Sequence, residues 1–412
     1  MNENCYRNNT HNTINNTPYF LPNIYLDTSA TTQPIKEVIA EITKYMTNKW
    51  YNPSSLYSPS KEVKNNIEKV RCKVAKSINA EPNEIFFTSG GSESNSMAIL
   101  GLLNSNKVEI QKVITSGLEH SSIVKLLESK INQVSVDIVK CHTNGKIDLS
   151  DLITKLESIK SNGLNRKTLV TIQFANNEIG TIQDMKTISD LVHMTDKNFI
   201  LHTDAVQAYG HIPIDVKELD VDMLSVSGHK IGCPKGIGFL YIKENIQHFI
   251  EPVIYGTQEQ GLRGGTENVP YIMGLGKAIE YLNYDNSDLI SKRKYFENGL
   301  IKLGFEINGS DNKLPNNISA TYAPPFDFNN ESLIYILDMF GIYISSGSAC
   351  NSTQIKPSLV LKNIGLTDNL IAKTIRITMP PDITKEQINY VLTKIEESIM
   401  ILQLDSENKL TN

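Results

Sequence analysis

The chain has 412 residues, of which 40% are hydrophobic and 21% are charged, and its formal net charge is −5 at pH 7. This length suits one large domain or two to three ordinary ones, and the composition is typical of a globular protein with an ample core. The lack of a sequence-wide basic field argues against nucleic-acid binding as the main task of the protein. No apolar run has the length of a membrane span.

The chain opens with an Asn- and Thr-rich segment, residues 1–22, that has no apolar core. We predict a disordered extension here rather than a signal peptide, because the apolar h-region is missing. The cysteines are odd in number, widely scattered and without paired zinc spacing: Cys5, Cys72, Cys141, Cys233 and Cys350. This usage favours a reducing cytoplasm over a disulfide scaffold and indicates no metal site.

A helical pattern over 62–78 is followed, from about residue 85, by short β-rich runs. In chain order the runs are EIFFTS, KVITS, TLVTIQF, NFILHT, DMLSV and GIGFLYI. Strands separated by helix-length segments predict βαβ units and a largely parallel sheet. The fold class is therefore α/β.

A polar cluster, LNYDNSD, interrupts the pattern near 282–288 and marks a candidate domain boundary. We predict a large domain over 23–285 and a smaller C-terminal α+β domain over 286–405, with a flexible tail at 406–412. The opening residues of the large domain are also candidates for packing with the small one. An amphipathic helix with apolar residues from 388 to 402 ends the small domain.

Two motifs at strand ends, HTDAVQAYG and LSVSGHKIG, contain Asp204 and Lys230. The carboxyl ends of parallel strands meet at one crevice, where ligands bind. A lysine that can form a Schiff base and an acid that can keep a pyridine nitrogen protonated together fit pyridoxal phosphate. Each residue alone would be an ordinary surface lysine or strand-end acid, so the hypothesis depends on further motifs.

Further motifs bring polar groups to the same edge. FFTSGGSESNSMAIL predicts a glycine turn and a helix that begins at Ser92, where backbone N–H groups and the helix dipole bind phosphate. SGLEHSS provides His120, whose ring could stack on a pyridine, and FANNEIGTIQ provides Asn177. Ser227 and His229 flank the lysine and could hydrogen-bond a phosphate.

Cys350 lies in ISSGSACNS, a segment too polar to bury a thiol. Structural cysteines pack inside as small hydrophobes, whereas reactive ones are exposed and act as thiolates. We therefore predict a reactive thiolate whose small neighbours permit movement. The alternative is an unremarkable loop thiol.

Together these motifs resemble those of cysteine desulfurases of the NifS and IscS type, pyridoxal-phosphate enzymes with the aspartate-aminotransferase fold (fold type I). The resemblance runs from YLDTSATT at 25–32 to the last helix and leaves out only the Asn-rich leader. The matching segments follow the family order: NPSS, FTSGGSES, EHSSI, NNEIG, HTDAVQ, SGHK, PKGIGFLY, LRGGTEN, SSGSACNS and IRIT.

The resemblance implies a role for each matching residue. Lys230 would be the Schiff-base lysine and Asp204 the partner of the pyridine nitrogen. His120 would stack on the ring and handle protons. Arg376 would bind the substrate carboxylate as a bidentate fork, and Asn177 would contact ring and substrate.

The other implied contacts are with the cofactor. Gly91, Ser92, Ser227 and His229 would hold the phosphate, and Gln207 would join Asn177 at the ring. Thr266, in RGGTEN, would reach the phosphate bound to the other subunit, so the resemblance also implies a homodimer.

By the same resemblance, the chain would convert L-cysteine to L-alanine and keep the sulfur as a persulfide on Cys350. The acceptor would be a protein of iron–sulfur cluster assembly or tRNA thiolation. SSGSAC, followed by a long segment before Arg376, resembles the longer-loop group of these enzymes. No nucleic-acid or membrane partner is expected.

Other functions on this fold stay open at this point. A selenocysteine lyase would use the same residues, whereas an aminotransferase has no use for a loop nucleophile. A non-catalytic sulfur-relay subunit would be expected to lack Lys230 or Cys350, and both are present.

The chain departs from the family pattern at two places. Tyr57 and Ser60 stand where the family has His and Gly, and a serine is strained if its φ is positive. Gly232 and Cys233 replace an aromatic residue and a glycine after the lysine. We expect Cys233 to be packed and inert.

Overall fold

The structure, a computed structural model, describes residues 23–159, 166–324, 329–346 and 357–410. The strands in these ranges are β1 (Ile24–Tyr25), β2 (Ile85–Thr88), β3 (Glu109–Ser116), β4 (Ser135–Val139), β5 (Arg166–Thr171), β6 (Phe199–Asp204), β7 (Met223–Ser227), β8 (Gly238–Ile242), β9 (Phe305–Asn308), β10 (Asn317–Tyr322), β11 (Ile342–Tyr343), β12 (Ser345–Ser346) and β13 (Thr374–Thr378).

The α-helices in the same ranges are α1 (Lys36–Thr47), α2 (Ser58–Ser77), α3 (Gly91–Leu103), α4 (Ser121–Lys130), α5 (Leu149–Glu157), α6 (Met185–Thr195), α7 (Val216–Leu219), α8 (Val269–Ala278), α9 (Ser287–Lys302), α10 (Asn330–Met339), α11 (Leu359–Asn363), α12 (Asp368–Ala372) and α13 (Lys385–Leu410). None of them is long and apolar enough to cross a bilayer.

The large sheet has seven strands in the order β2-β8-β7-β6-β5-β3-β4. The strands from β7 to β4 run parallel, while β8 is antiparallel to both of its neighbours. All six runs predicted as strands belong to this sheet, so the mainly parallel α/β prediction is confirmed. β4 was not predicted, because it is an edge strand and its sequence, SVDIV, mixes exposed and buried positions.

Helices cover both faces of this sheet, which explains why its central strands are buried along their whole length. Alternate residues of each strand belong to different apolar clusters. Leu201 and Leu224 pack in one cluster, whereas Ile200 and Met223 pack in another. Since successive side chains of a strand point to opposite faces, the two clusters lie on the two sides of the sheet.

The second unit is an antiparallel sheet in the order β12-β13-β10-β9, packed with α9, α10 and α13. Its own apolar cluster runs from Leu289 to Ile399 and includes Ile24 and Leu26 from the start of the chain. β1 pairs in parallel with β11, so the first described residues pack with this unit. The predicted boundary at 285/286 falls just before α9. The leader 1–22 lies outside the described residues.

Candidate active site

Polar side chains converge where the central strands of the large sheet end. β3, β5, β6 and β7 run parallel, so their carboxyl ends share one edge. The segments that follow these strands border a cavity of about 460 Å³. The predicted site residues that line it are Gly91, Ser92, His120, Asn177, Asp204, Gln207, Ser227, His229, Lys230 and Arg376.

The turn between β2 and α3 forms a cradle for an anion. Gly90 has a φ of +148°, and a Cβ on Gly91 would lie 2.5 Å from Cγ2 of Val206, so both positions require glycine. α3 begins at Gly91, one residue before the predicted start at Ser92. The first N–H groups of a helix have no intrahelical acceptor, and the helix dipole adds positive charge there. The turn is therefore suited to a phosphate.

Ser227 and His229 border the same cradle from the end of β7. A Cβ on Gly90 would lie 3.4 Å from Oγ of Ser227, so this hydroxyl faces the glycine turn. Nδ1 of His229 lies 3.1 Å from Oγ1 of Thr31. Burial, together with the nearby Lys230 charge, lowers the pKa of His229 to about 4. The ring is therefore neutral at pH 7 and can act as a neutral hydrogen-bond partner.

Lys230 ends a short 3-10 turn, Gly228–Lys230, directly after β7. Its Nζ donates to the backbone carbonyl oxygens of Ser29 and Ala30, the latter at 2.8 Å. Nε2 of Gln207 donates to the same Ser29 carbonyl at 3.1 Å. Ser29 and Ala30 line the cavity, so the N-terminal segment lies directly against the amine.

Asp204, at the end of β6, is only 2% exposed. Its Oδ1 accepts from the backbone N–H of Val206 at 2.9 Å, and its Oδ2 accepts from Nδ2 of Asn95 at 2.8 Å. Nδ2 of Asn95 also donates to Oγ of Ser122 at 3.0 Å, and this Oγ lies 2.9 Å from Nδ1 of His120. Asp204 and His120 are therefore connected through two side chains, and neither Asn95 nor Ser122 was predicted.

Arg376, on β13, reaches the cavity from the small unit and is 2% exposed. Its Nη1 donates to the backbone carbonyl of Asn177 at 3.1 Å, and its Nη2 donates to Oδ1 of Asp27 at 2.7 Å. Nε of Arg376 has no hydrogen-bond partner in the described part of the chain. The guanidinium is therefore oriented by this chain while keeping donors for a ligand carboxylate. Asp27 lies in the YLDTSATT motif but was not predicted as a site residue.

Two carboxyl groups, those of buried Glu119 and half-buried Glu178, lie beside the predicted site residues. Oε1 of Glu119 accepts from Oγ of Ser116 at 2.5 Å and from the backbone N–H of Gln173 at 3.0 Å, and burial raises its pKa to about 8. Glu178 accepts from Oγ of Ser358 at 2.5 Å, and burial raises its pKa to about 7. Neither was predicted, although each is the sequence neighbour of a predicted residue. Both carry reduced charge at neutral pH.

Thr266, a further predicted site residue, is exposed and lies outside this cavity lining. Cys350 lies outside the described residues, as does the part of ISSGSACNS from residue 347 onward.

Neither Ser60 nor Cys233, two of the departures from the family pattern, has a strained backbone. Cys233 is 1% exposed and burial raises its pKa to about 12, which confirms the prediction of a packed thiol. Ser60 lies within α2, where its N–H donates to the carbonyl of Tyr57 at 3.1 Å. Since its backbone is helical, the positive φ that would strain a serine does not occur. The described ranges contain no cluster of His, Cys, Asp and Glu that could hold a metal ion.

The sequence matches the family model "Aminotransferase class-V" over residues 24–391. It is similar to a protein named cysteine desulfurase IscS of Methanosarcina thermophila, with 39% identity over 389 residues, which cover 92% of this chain and 93% of that protein. It is also similar to a mitochondrial cysteine desulfurase of Eremothecium gossypii, with 35% identity over 92% of this chain and 76% of that protein.

Two solved structures superpose on most of this chain. A NifS-like protein superposes with a TM-score of 0.83 and 31% identity, covering 92% of this chain and 100% of that one. A structure described as SspA in complex with cysteine superposes with a TM-score of 0.76 and 32% identity, covering 87% of this chain and 99% of that one.

Proposed function

This chain belongs to the aminotransferase class-V family, and on that premise we infer that it is a pyridoxal-phosphate-dependent cysteine desulfurase, which converts L-cysteine to L-alanine and supplies the sulfur. Its fold is the aspartate-aminotransferase-like fold, PLP fold type I. The observation that carries the inference is the single cavity in which Lys230, Asp204 and the glycine turn before α3 meet.

The residues of this cavity fit pyridoxal phosphate. An amine, a buried carboxylate and a helix N-terminus are the groups that this cofactor needs at its aldehyde, its ring nitrogen and its phosphate. We assign the aldehyde to Lys230 and the ring nitrogen to Asp204. The phosphate contacts are assigned to Gly91, Ser92, Ser227 and His229, and the ring contacts to Asn177 and Gln207. When bound, pyridoxal phosphate supplies an electron-accepting ring that weakens the bonds at the substrate Cα.

The residues of the chain then have separate tasks. Arg376 binds the carboxylate of L-cysteine and so orients the amino acid over Lys230. Lys230 moves the proton at the substrate Cα. Asp204, buried and held by two hydrogen bonds, would keep a proton on the ring nitrogen of the cofactor. His120 would stack on the ring of the cofactor and take part in proton transfer.

We assign the sulfur-accepting step to Cys350. Its thiolate attacks the sulfur of the substrate, and an S–S bond forms as the Cβ–S bond breaks. The electron pair of the broken bond passes to the carbon fragment, which is protonated and leaves as L-alanine. The persulfide remains on Cys350. A thiolate is required because the neutral thiol is a poor nucleophile.

We propose a homodimer formed through the face near Thr266. Two segments, 50–57 and 253–258, contribute Pro53, Ser54, Thr257 and Gln258 to the lining of a cavity of about 520 Å³, which Glu267, the neighbour of Thr266, also lines. Both segments carry exposed apolar side chains, with Trp50 67% exposed, Leu56 86% and Tyr255 80%. An apolar surface of this kind beside an exposed Thr266 supports contact with a second copy, in which Thr266 would reach the partner's cofactor phosphate.

The compartment and the acceptor are also proposals. We propose a cytoplasmic protein, because the cysteines of the described part, Cys72, Cys141 and Cys233, are free thiols. We propose that the sulfur passes from Cys350 to a protein of iron–sulfur cluster assembly or of tRNA thiolation.

The test of the function is a paired product assay. The purified protein, loaded with pyridoxal phosphate, is incubated with L-cysteine and a reductant, and alanine and sulfide are measured together. We expect equal amounts of alanine and sulfide from the parent protein, and neither product from Lys230→Ala. Pyruvate and ammonia in place of alanine, or no product from loaded protein, would refute the desulfurase assignment.

A further inference from the structure

The connection between Asp204 and His120 allows only one arrangement of its protons. A carboxylate only accepts hydrogen bonds and an amide nitrogen only donates them. Nδ2 of Asn95 faces both Oδ2 of Asp204, at 2.8 Å, and Oγ of Ser122, at 3.0 Å. Both N–H groups of Asn95 are therefore used, and the oxygen of Ser122 is an acceptor at this contact.

The backbone of α4 decides the next contact. Oγ of Ser122 lies 2.9 Å from Nδ1 of His120, and a hydroxyl that accepts from Asn95 could still accept from a second donor. The backbone N–H of Ser122 donates to this Nδ1, at 3.2 Å, because His120 caps the N-terminus of α4. Because Nδ1 accepts from this N–H, it carries no proton, and the proton of the neutral ring is on Nε2. The only hydrogen available between Nδ1 and Oγ of Ser122 is then that of the hydroxyl, so Ser122 is a second donor to Nδ1.

The burial of Asn95 indicates that this position requires the two N–H donors of its side chain. Asn95 is 1% exposed, and its Oδ1 has no partner among the described residues. Burying an acceptor without a partner is costly, and an apolar side chain of similar size would avoid that cost. What an apolar residue cannot do is bridge Asp204 and Ser122.

We propose that Asn95 and Ser122 are positioning residues that hold His120 as the neutral tautomer with its proton on Nε2. The consequence for the reaction rests on the proposed function. His120 then donates a hydrogen bond from Nε2 to the bound groups, and Lys230 acts as the base. Asn95 and Ser122 act through His120 and Asp204 and need no contact with the substrate.

Other ionisable groups near His120 come from neighbouring elements. Asp204 is connected to His120 through Asn95 and Ser122, and Glu178, on the segment after β5, interacts with His120 electrostatically. Glu119 precedes it in the chain, but its carboxyl group is directed to Ser116 and Gln173. The charge of Asp204 and the remaining charge of Glu178 favour a protonated ring, and the donors at Nδ1 oppose this effect.

The tautomer can be measured directly by NMR. Full-length protein labelled with ring-¹⁵N histidine is studied as purified with its cofactor and again after removal of the cofactor, and the His120 signals are identified by their loss in His120→Gln. At pH 7.5 we expect Nδ1 to show the shift of an unprotonated nitrogen and Nε2 that of a protonated one. A protonated Nδ1 in the cofactor-free protein would overturn the proposal. Because this measurement needs no turnover, its failure is distinct from a failure of the desulfurase assignment.

Variants test whether Asn95 and Ser122 are responsible for the tautomer of His120. Ser122→Ala removes the hydroxyl donor, so the pH midpoint for protonation of His120 should rise by about half to one pH unit. Asn95→Ala should raise the midpoint by a smaller amount, and the double variant should match Ser122→Ala, because both act through one chain of contacts. Ser122→Thr keeps the hydroxyl and should restore the midpoint. Exposed Ser121→Ala is the matched control on the same helix and should leave it unchanged.

Thermal unfolding separates these effects from damage to the fold. A purely structural role would lower the melting temperature of Ser122→Ala without moving the His120 midpoint, and that result would overturn the proposal. Additive shifts in the double variant, or no shift in Asn95→Ala, would also overturn it. If both alanine variants fail to fold, the tautomer of His120 in the wild-type protein and the titration of Ser122→Thr still test the proposal.

Discussion

Nη2 of Arg376 is paired with Oδ1 of Asp27 at 2.7 Å, across the junction between the N-terminal segment and the antiparallel sheet. Arg376 is almost fully buried in this pair, and Asp27 is partly accessible, with its side chain 19% exposed. The proposed carboxylate-binding arginine is therefore held by a carboxylate of the chain itself. The pair fixes the direction of the guanidinium before any substrate is bound.

We predict that Asp27→Asn weakens the binding of L-cysteine. The amide oxygen can still accept from Nη2, but the charge-assisted bond is lost and the guanidinium is held less firmly. We expect KM to rise about tenfold, equivalent to about 1.4 kcal/mol, with a smaller change in kcat. Steady-state kinetics would check this, with exposed Asp382→Asn as the control. An unchanged KM would show that Asp27 does not orient Arg376.

We predict that Lys230 is the covalent attachment point of the cofactor. Reduction of the loaded protein with borohydride should fix the pyridoxyl group irreversibly, and peptide mapping should find it on Lys230. The basis is the position of its amine in the cavity below the glycine turn. Lys235 also lines this cavity, so Lys235→Ala is the matched control and should still be labelled at Lys230. A label on Lys235 in the parent protein would disprove the assignment.

We predict that Glu119 makes the stability of the protein pH-dependent. Burial raises its pKa from 4.5 to about 8, so the folded state binds a proton that the unfolded state releases between these pH values. The contribution of Glu119 to stability is therefore greatest below pH 4.5 and falls as the pH rises toward 8.

Glu119→Gln should remove this dependence. The amide oxygen keeps both contacts of Oε1, and the amide nitrogen replaces Oε2, which has no hydrogen-bond partner among the described residues. We expect the melting temperature of the variant to exceed that of the parent at pH 9 but not at pH 5. Equal melting temperatures at pH 9 would contradict a protonated Glu119. Exposed Glu109→Gln is the control.

We predict that the apolar face near Thr266 forms the homodimer. Leu56→Glu and Tyr255→Glu each place a charge on this face, and both parent side chains are largely exposed in the single chain. Light scattering should show a dimer for the parent and a monomer, or a much weaker dimer, for the variants. Met194→Glu changes an apolar side chain that is 85% exposed elsewhere and should leave the dimer intact. Dimers of unchanged stability in both test variants would place the interface elsewhere.

The sequence predicted those parts of the site that follow from local pattern. Strands were recognised from short apolar runs, and the residue after each strand could be assigned to one edge because the carboxyl ends of parallel strands share it. Asp204, His120 and Lys230 were found in this way. The packing of Cys233 also followed from its apolar and glycine-rich surroundings.

The missed residues have roles that depend on contacts between distant segments. Asn95 is a polar residue on a helix, and nothing in its neighbourhood indicates a contact with Asp204, which lies 109 positions further along the chain. Asp27 pairs with an arginine 349 positions away. Ser60 raised a concern about backbone strain only because the start of α2 could not be located from the sequence, and Pro59 places that start earlier than predicted.

We propose that Cys350 receives the sulfur, and a single-turnover experiment with Cys350→Ser tests this step. The proton transfers at Cα need Lys230 and the cofactor but not the thiol, so the variant should still bind L-cysteine with a change in its absorption spectrum. Serine keeps size and polarity, but its hydroxyl stays protonated near neutral pH. Exposed Cys72→Ser is the matched control.

The measurement is mass spectrometry of the peptide containing residue 350 after one turnover without reductant, together with an assay of alanine. We predict one added sulfur on Cys350 in the parent and in Cys72→Ser, with one alanine released per site. Cys350→Ser should release no alanine and carry no added sulfur. Full release of alanine by Cys350→Ser, or sulfur found on Cys233 of the parent, would show that Cys350 is not the residue that receives the sulfur.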